Sequence, residues 1–272
     1  MKNLLLFLIF SCFLSSVAYS TTEMSGTTVS GISFYAPNRI YAVGDSITVG
    51  LGEVTYFSYR DHLQQTYLGL GTYDFVGEHT DPDSDAVYDV EHGAVSGTRT
   101  ANVLARIQAD LEKFMPKPNG SNSKVLLHIG TNDSAGSTAG VPPPPVAPEV
   151  AAANVVDIVE TIVAYDSNIK IYVALIIPHR NTGSVKNNAN FINFNNALGP
   201  LILTLHSSNA NINLVDMYAA MNNDTFGFCS GVIANCYATG DDTHPDDDGY
   251  KTMAAQWDAC FDNASAVNCN GN

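Results

Sequence analysis

The stretch "IYAVGDSITVGLGE" (Ile40 to Glu53) sets an apolar run directly against Gly44-Asp45-Ser46, then opens into a segment with two further glycines, Gly50 and Gly52. The run from Ile40 to Val43 reads as a buried strand, and Gly44 lets the chain turn as it leaves it. Ser46 is then either a nucleophile raised at the end of a strand or one more serine in a turn. The stretch alone does not distinguish the two.

Similar apolar runs recur along the chain: "YDFVG" (73 to 77), "KVLLHIG" (124 to 130), "IKIYVALII" (169 to 177) and "INLVD" (212 to 216). Segments that read as helices lie between them, at about 56 to 68, 100 to 114, 149 to 165, 188 to 206 and 247 to 260. Alternating strands and helices predict a parallel sheet of about five strands covered on both faces, a three-layer α/β/α arrangement. No repeat or change of composition calls for a second domain, so residues 39 to 272 are expected to form one. Four consecutive prolines make "VPPPPVAP" (Val141 to Pro148) a loop; following a strand end, it is placed to wall a ligand crevice or to serve as a rigid spacer.

Composition narrows the function. Hydrophobic residues make up 45% of the 272 and charged residues 14%, well under the roughly 25% charged of an average soluble domain. The net charge is -15, from 27 acidic and 12 basic residues, with no cluster of Lys and Arg. Nucleic acid and anionic membrane surfaces both require local positive charge, so neither is an expected partner. A neutral substrate fits better.

The first twenty residues, "MKNLLLFLIFSCFLSSVAYS", carry Lys2, an apolar run from Leu4 to Leu14 and the small-residue exit Ala18-Tyr19-Ser20. That pattern describes a signal peptide over 1 to 20, too short to span a membrane, followed by an extension over 21 to 38. Phe10 is too bulky to precede a lipidated Cys12. The expected location is secreted or periplasmic. Cys229, Cys236, Cys260 and Cys269 remain after the signal. They allow three pairings, of which Cys229 with Cys236 and Cys260 with Cys269 is favoured, each closing a short polar surface loop. No CxxC spacing suggests a metal site.

G-D-S gains meaning from three further segments: "SGTRT" (96 to 100), "GTND" (130 to 133) and "DDTHPDDDGY" (241 to 250). Each falls at the carboxyl end of a predicted strand or the start of the last helix, and in a parallel sheet such positions converge on one edge. In this order the four segments resemble the SGNH (GDSL-like) hydrolase superfamily over nearly all of the chain from Gly44 to about Trp257. The resemblance implies a flavodoxin-like sheet, Ser46 as nucleophile, Asp241 and His244 as its partners, and an oxyanion hole formed by Ser46, Gly97 and Asn132. No cofactor and no metal are expected.

The chemistry of each residue type agrees. A serine needs an adjacent base, the base needs one tautomer, and a carboxylate holds it there. Asp242 rivals Asp241 by position; the family's D-x-x-H pattern selects Asp241. Backbone N-H groups of Ser46 and Gly97 and the amide of Asn132 are the donor types an oxyanion requires. Gly93 is an alternative to Gly97, and a turn would equally use Gly97 or the Asn132 segment.

Asp45 and Asp133 are expected to orient their loops through local backbone N-H groups, and Arg99 to pair structurally. His128 reads as a core residue; His62, His79, His92, His179 and His206 read as surface or structural. Asp246 to Asp248 lack calcium-loop spacing and read as a helix start.

Smaller features, "YRDHL" (59 to 63), "YDFVG" and "VLLHIGTND" (125 to 133), are similar to carbohydrate esterases of the acetylxylan esterase type. That branch shows H-E-G-x-S-G, whereas this chain reads Glu91-His92-Gly93-Ala94-Val95-Ser96-Gly97. The expected protein is a monomeric, exported serine esterase that removes O-acetyl groups from carbohydrate. A lipase, lysophospholipase or thioesterase of the same superfamily and a non-catalytic carbohydrate-binding protein are the alternatives.

Overall fold

Ile40, Tyr41, Ala42 and Val43 have no solvent exposure on either side, as a central strand of a parallel sheet requires. They form β1 (Arg39–Gly44) in a computed structural model that describes residues 38–53, 56–81, 88–135, 144–180, 188–262 and Cys269. The expected signal peptide over 1 to 20 and the extension up to residue 37 lie outside the described residues, as does the first part of the proline loop. No helix among the described residues is long and apolar enough to cross a membrane.

The sheet contains β1, β2 (Asp74–Val76), β5 (Lys124–His128), β6 (Lys170–Ala174) and β7 (Ile212–Val215) in the spatial order β2-β1-β5-β6-β7. Every pair is parallel. A small antiparallel pair, β3 (His79–Thr80) with β4 (Glu91–His92), lies apart from it. The chain runs outward from β1 to β2, then returns to the other side of β1 to lay down β5. The order therefore reverses between β1 and β5, and a crevice opens at their carboxyl ends.

Side chains of β1, β5 and β6 alternate between two cores. Tyr41, Val43, Val125, Leu127, Ile171 and Val173 pack against α3 (Thr100–Phe114), α5 (Pro148–Tyr165) and α6 (Asn188–Ser208). Ile40, Leu126, Tyr172 and Ala174 pack on the opposite face against α1 (Ser46–Val49), α2 (Tyr59–His62), α7 (Met217–Asn222) and α8 (Asp247–Asp262). This is the three-layer α/β/α fold that the sequence predicts. A π-helical turn, Leu63–Leu68, extends α2.

Two expectations change. Pro148 is not loop: it opens α5 at the first helical position, where its missing N-H is one the helix could not have satisfied anyway. The cysteines also differ. Cys229 and Cys236 are bridged as expected and close a loop whose intervening residues are exposed or half-buried, while the two cysteines themselves are fully buried against α8. Cys260 and Cys269 are not bridged. The Cys260 thiol faces the Cys269 carbonyl oxygen at 3.5 Å, because Cys269 lies in the left-handed region (φ 45°) and turns its backbone inward, where the Gln256 amide also meets that carbonyl.

His128 ends β5 on the face of Leu126 and is wholly buried, and neither ring nitrogen has a hydrogen-bond partner among the described residues. Burial pushes its imidazole down to about 4. Since the unfolded chain takes up a proton near pH 6.5 and the native chain does not, stability falls as pH drops from 6.5 toward 4, by about 3 kcal/mol over that window. The substitution His128→Leu is expected to remove this dependence. Its melting temperature, relative to native, should be higher at pH 4.5 than at pH 8; an equal difference at both pH values would contradict the reading.

Candidate active site

Gly44 is required by a close approach: a Cβ there would lie 2.4 Å from the His128 carbonyl oxygen and 2.3 Å from Thr48 Oγ1. The chain turns immediately, and the Asp45 carboxylate accepts from the Ile47 N-H at 3.1 Å to cap α1. Ser46 is thereby the first residue of a one-turn helix at the end of β1. Gly50, with φ 101°, closes that helix in the left-handed region.

The partner of Ser46 comes from 198 residues further on. His244 Nε2 lies 2.9 Å from Ser46 Oγ, and His244 Nδ1 lies 2.6 Å from Asp241 Oδ2. Asp241 Oδ1 also accepts from the backbone N-H groups of Thr243 and His244, at 2.7 and 3.0 Å. Partial burial raises the Asp241 carboxyl, but the hydrogen bond from His244 and the two N-H donors outweigh it and hold it well below the usual carboxylate range. An ionised Asp241 keeps the proton on Nδ1, which leaves the Nε2 lone pair facing the serine hydroxyl.

Its rival, Asp242, turns away, with Oδ1 3.8 Å from Arg180 Nε. The loop is confined from behind. A Cβ on Gly52 would meet the Pro245 carbonyl oxygen at 2.2 Å and the His244 Cβ at 3.0 Å, so only glycine lets segment 50–53 pass this close.

Asn132 stands on α4 (Thr131–Ala135), directly after β5. Its Nδ2 donates to the Thr98 carbonyl at 3.0 Å and to Asp45 Oδ2 at 3.4 Å, so it spans the second segment and the one carrying Ser46. Burial pushes the Asp45 carboxyl up to about 7, against the lowering effects of the Ile47 N-H and of His244.

Gly97 is exposed and has φ 76°, which favours glycine. On one side Val95 donates its N-H to the Gly44 carbonyl at 3.2 Å; on the other Thr98 carries the carbonyl held by Asn132. Ser46, His244 and Asp241 are thus directly hydrogen-bonded, Asn132 reaches the same crevice, and Gly97 is tied to it through its neighbours.

Asp45 holds its own loop through the Ile47 N-H, as expected, whereas Asp133 reaches further. Asp133 accepts from the N-H and the hydroxyl of Thr100, at 3.0 and 2.8 Å, and so anchors the start of α3 across 33 residues. Arg99 donates to the Pro144 carbonyl at 3.1 Å, fastening the proline loop beside the second segment. Asp246 accepts from Gly249 at 3.0 Å as the helix start it was read to be. Glu53 joins it by accepting from the Asp247 N-H at 2.7 Å, a contact for which the sequence holds no signal.

The other histidines are not all without acids: His62 pairs with Asp247 and His92 with Asp81. Neither of these two imidazoles meets a serine hydroxyl among the described residues.

Two groups of ligand-type side chains approach one another among the described residues. Asp74, Asp89 and Glu91 include a residue that opens β2, at the edge of the sheet away from Ser46, and Asp89 already accepts from the Phe75 N-H. Asp224, Cys229 and Cys236 have their sulfurs in the disulfide, while the Asp224 carboxylate takes the N-H groups of Cys229 and Gly231.

Solved structures with similar folds include a family 3 carbohydrate esterase from Clostridium thermocellum, 21% identical over 84% of this chain and 96% of that one, with a TM-score of 0.60. A family 3 carbohydrate esterase from Talaromyces cellulolyticus is 20% identical over 81% and 94%, with a TM-score of 0.59. An acetyl esterase mutant crystallised with acetate ion is 21% identical over 80% and 93%, with a TM-score of 0.58. No curated protein sequence matches the chain. Residues 40–257 match the model of the GDSL-like lipase/acylhydrolase family, a span that runs from β1 into α8 and takes in all four segments of the crevice. The chain belongs to that family and is an ester hydrolase.

Proposed function

We propose that the protein is an exported esterase that removes O-acetyl groups from carbohydrate through an acetyl-Ser46 intermediate. The observation that carries the reading is the continuous line from Asp241 through His244 to Ser46 Oγ. Ser46 Oγ attacks the ester carbonyl as its proton passes to His244 Nε2. The tetrahedral intermediate then collapses, and Nε2 returns that proton to the departing sugar oxygen. Water, deprotonated by the same nitrogen, attacks the acetyl-serine, and Nε2 returns that proton to Ser46 Oγ as its bond to the acetyl carbon breaks, releasing acetic acid and restoring Ser46.

In both steps the carbonyl oxygen gains charge that the N-H groups of Ser46 and Gly97 and the amide of Asn132 are suited to receive. The 3.4 Å contact from Asn132 to Asp45 is at the long end of a hydrogen bond. It is therefore the N-H that a developing oxyanion would claim. One such donor is worth roughly 10²- to 10³-fold in rate.

Three features favour acetylated sugar over a lipid ester: the fold neighbours described as carbohydrate and acetyl esterases, the sequence features shared with that branch, and a charge of -15 that repels a phosphate-bearing headgroup. Hydrolysis of nitrophenyl esters from two to twelve carbons, together with acetate release from acetylated polysaccharides and a lysophospholipid control, tests it. The rate should be highest for acetyl and fall at least tenfold by eight carbons. A maximum at eight carbons or beyond would replace the reading with a lipase or thioesterase, and a protein that binds glycan but cleaves no ester would replace it with a binding module.

A further inference from the structure

Arg60, Asp81 and His92 are buried to within 0%, 6% and 2% exposure and touch no member of the Ser46–His244–Asp241 line in the contacts described. A buried ion pair is a poor source of net stability, because desolvation offsets most of its attraction; what it fixes is geometry. The atoms it fixes here belong to two segments of the crevice.

Arg60 Nε donates to the Thr48 carbonyl at 2.9 Å and Nη2 reaches the Val49 carbonyl at 3.5 Å. These are the last carbonyls of α1, groups that no helix can satisfy internally, and Ser46 is the first residue of the same single turn. The guanidinium also takes both oxygens of Asp81, at 2.9 and 2.8 Å.

Asp81 Oδ1 lies 3.4 Å from His92 Nε2. His92 Nδ1 accepts from the Ala94 N-H at 3.1 Å, so the ring proton sits on Nε2 and points at Asp81. Burial lowers the affinity of this imidazole for a second proton, which keeps that tautomer neutral.

From His92 the backbone runs alongside β1: Gly93 donates to the Ala42 carbonyl at 2.9 Å and Val95 to the Gly44 carbonyl at 3.2 Å. Arg106 holds the Gly93 carbonyl from the other side at 2.5 Å, braced by the Tyr41 hydroxyl at 3.2 Å. Gly97 follows two residues after Val95. The exchanged order Glu91-His92-Gly93 is what puts the imidazole, in place of a carboxylate, next to Gly93.

We propose that Arg60, Asp81 and His92 are positioning residues that lock the helix bearing Ser46 to the loop bearing Gly97, fixing the separation of nucleophile and oxyanion donor. The role rests on the ester-hydrolase reading of Ser46. Disturbing it should impair the transition state more than substrate binding, because a displacement of about 1 Å can cost about 10²-fold in rate.

Steady-state kinetics on nitrophenyl acetate test this with the native chain, His92→Phe, His92→Gln and Asp81→Asn, at a temperature where melting curves show each fully folded. His92→Phe keeps the ring volume and loses both hydrogen bonds; kcat should fall about 10²-fold with KM within about twofold of native. His92→Gln keeps a donor toward Asp81 and should recover at least tenfold of that loss. If His92→Phe does not fold, Asp81→Asn carries the test and should show the same loss confined to kcat.

A packing role alone would lower the melting temperature and leave kcat of the folded enzyme unchanged. A kcat within threefold of native in the folded variants, or equal losses in His92→Phe and His92→Gln, would overturn the proposal. A native protein that turns over no ester would overturn the hydrolytic reading of Ser46 and this role with it, an outcome distinct from an active native enzyme with unaffected variants.

Discussion

Replacing Ser46 with alanine is expected to lower kcat for ester hydrolysis by on the order of 10⁶-fold, with the melting temperature almost unchanged. The size follows from what is removed. Ser46 Oγ is the atom that would bond to the acyl carbon, and it is held by the 2.9 Å hydrogen bond to His244. Its loss leaves a small, nearly buried gap at the start of α1 and breaks no packing contact of consequence.

His244→Ala should cost about as much, and the double variant scarcely more than either single one, because the two residues act as one unit. What survives, about 10³-fold over water, would come from the oxyanion donors and substrate binding alone. The measurement is kcat on nitrophenyl acetate beside a melting curve. Near-native turnover by Ser46→Ala would show that the nucleophile lies elsewhere.

The second large effect is expected at Asp241. In Asp241→Asn the side-chain oxygen can keep the N-H groups of Thr243 and His244, which now meet Oδ1 at 2.7 and 3.0 Å. The new NH₂ group then faces His244 Nδ1. As a donor it forces Nδ1 to accept, the ring proton moves to Nε2, and the nitrogen that should take the serine proton is already protonated. A tautomer error of this kind costs about 10⁴-fold in kcat with geometry preserved. Asp242→Asn should stay within about tenfold of native, since Asp242 faces Arg180 and not the imidazole. Reversed sensitivities of the two variants would assign the orienting role to Asp242.

The central strands were legible because burial on both faces leaves an unbroken apolar run, and the long helices because they alternate with those strands. Their edges were less so: 169 to 177 reads as one strand, yet β6 stops at Ala174, since the apolar residues after it pack just as well outside the sheet. The short helices α4 and α7 escaped notice because five or six residues carry no periodicity.

The site shows the same division. Ser46, Gly97, Asn132, Asp241 and His244 sit in compact segments whose local pattern can be recognised. Arg60 and His92 also fall in segments the sequence marks, but their roles, like those of Asp81 and Glu53, were not legible, because their partners are backbone carbonyls, N-H groups or side chains made neighbours by tertiary folding. The disulfide illustrates a further limit, for spacing shows that Cys229 and Cys236 can meet but not that they do so inside the core.

In the proposed mechanism the nucleophile leaves the first strand of the sheet, while its base sits just before the last helix. A ribosome must therefore finish almost the entire chain, and α8 must dock beneath Ile40 and Leu126, before any ester can be cleaved. A half-made or clipped polypeptide that ends short of His244 is expected to be catalytically silent, however well its early strands have assembled. Under that mechanism esterase activity is a direct gauge of completed synthesis and closure of the fold.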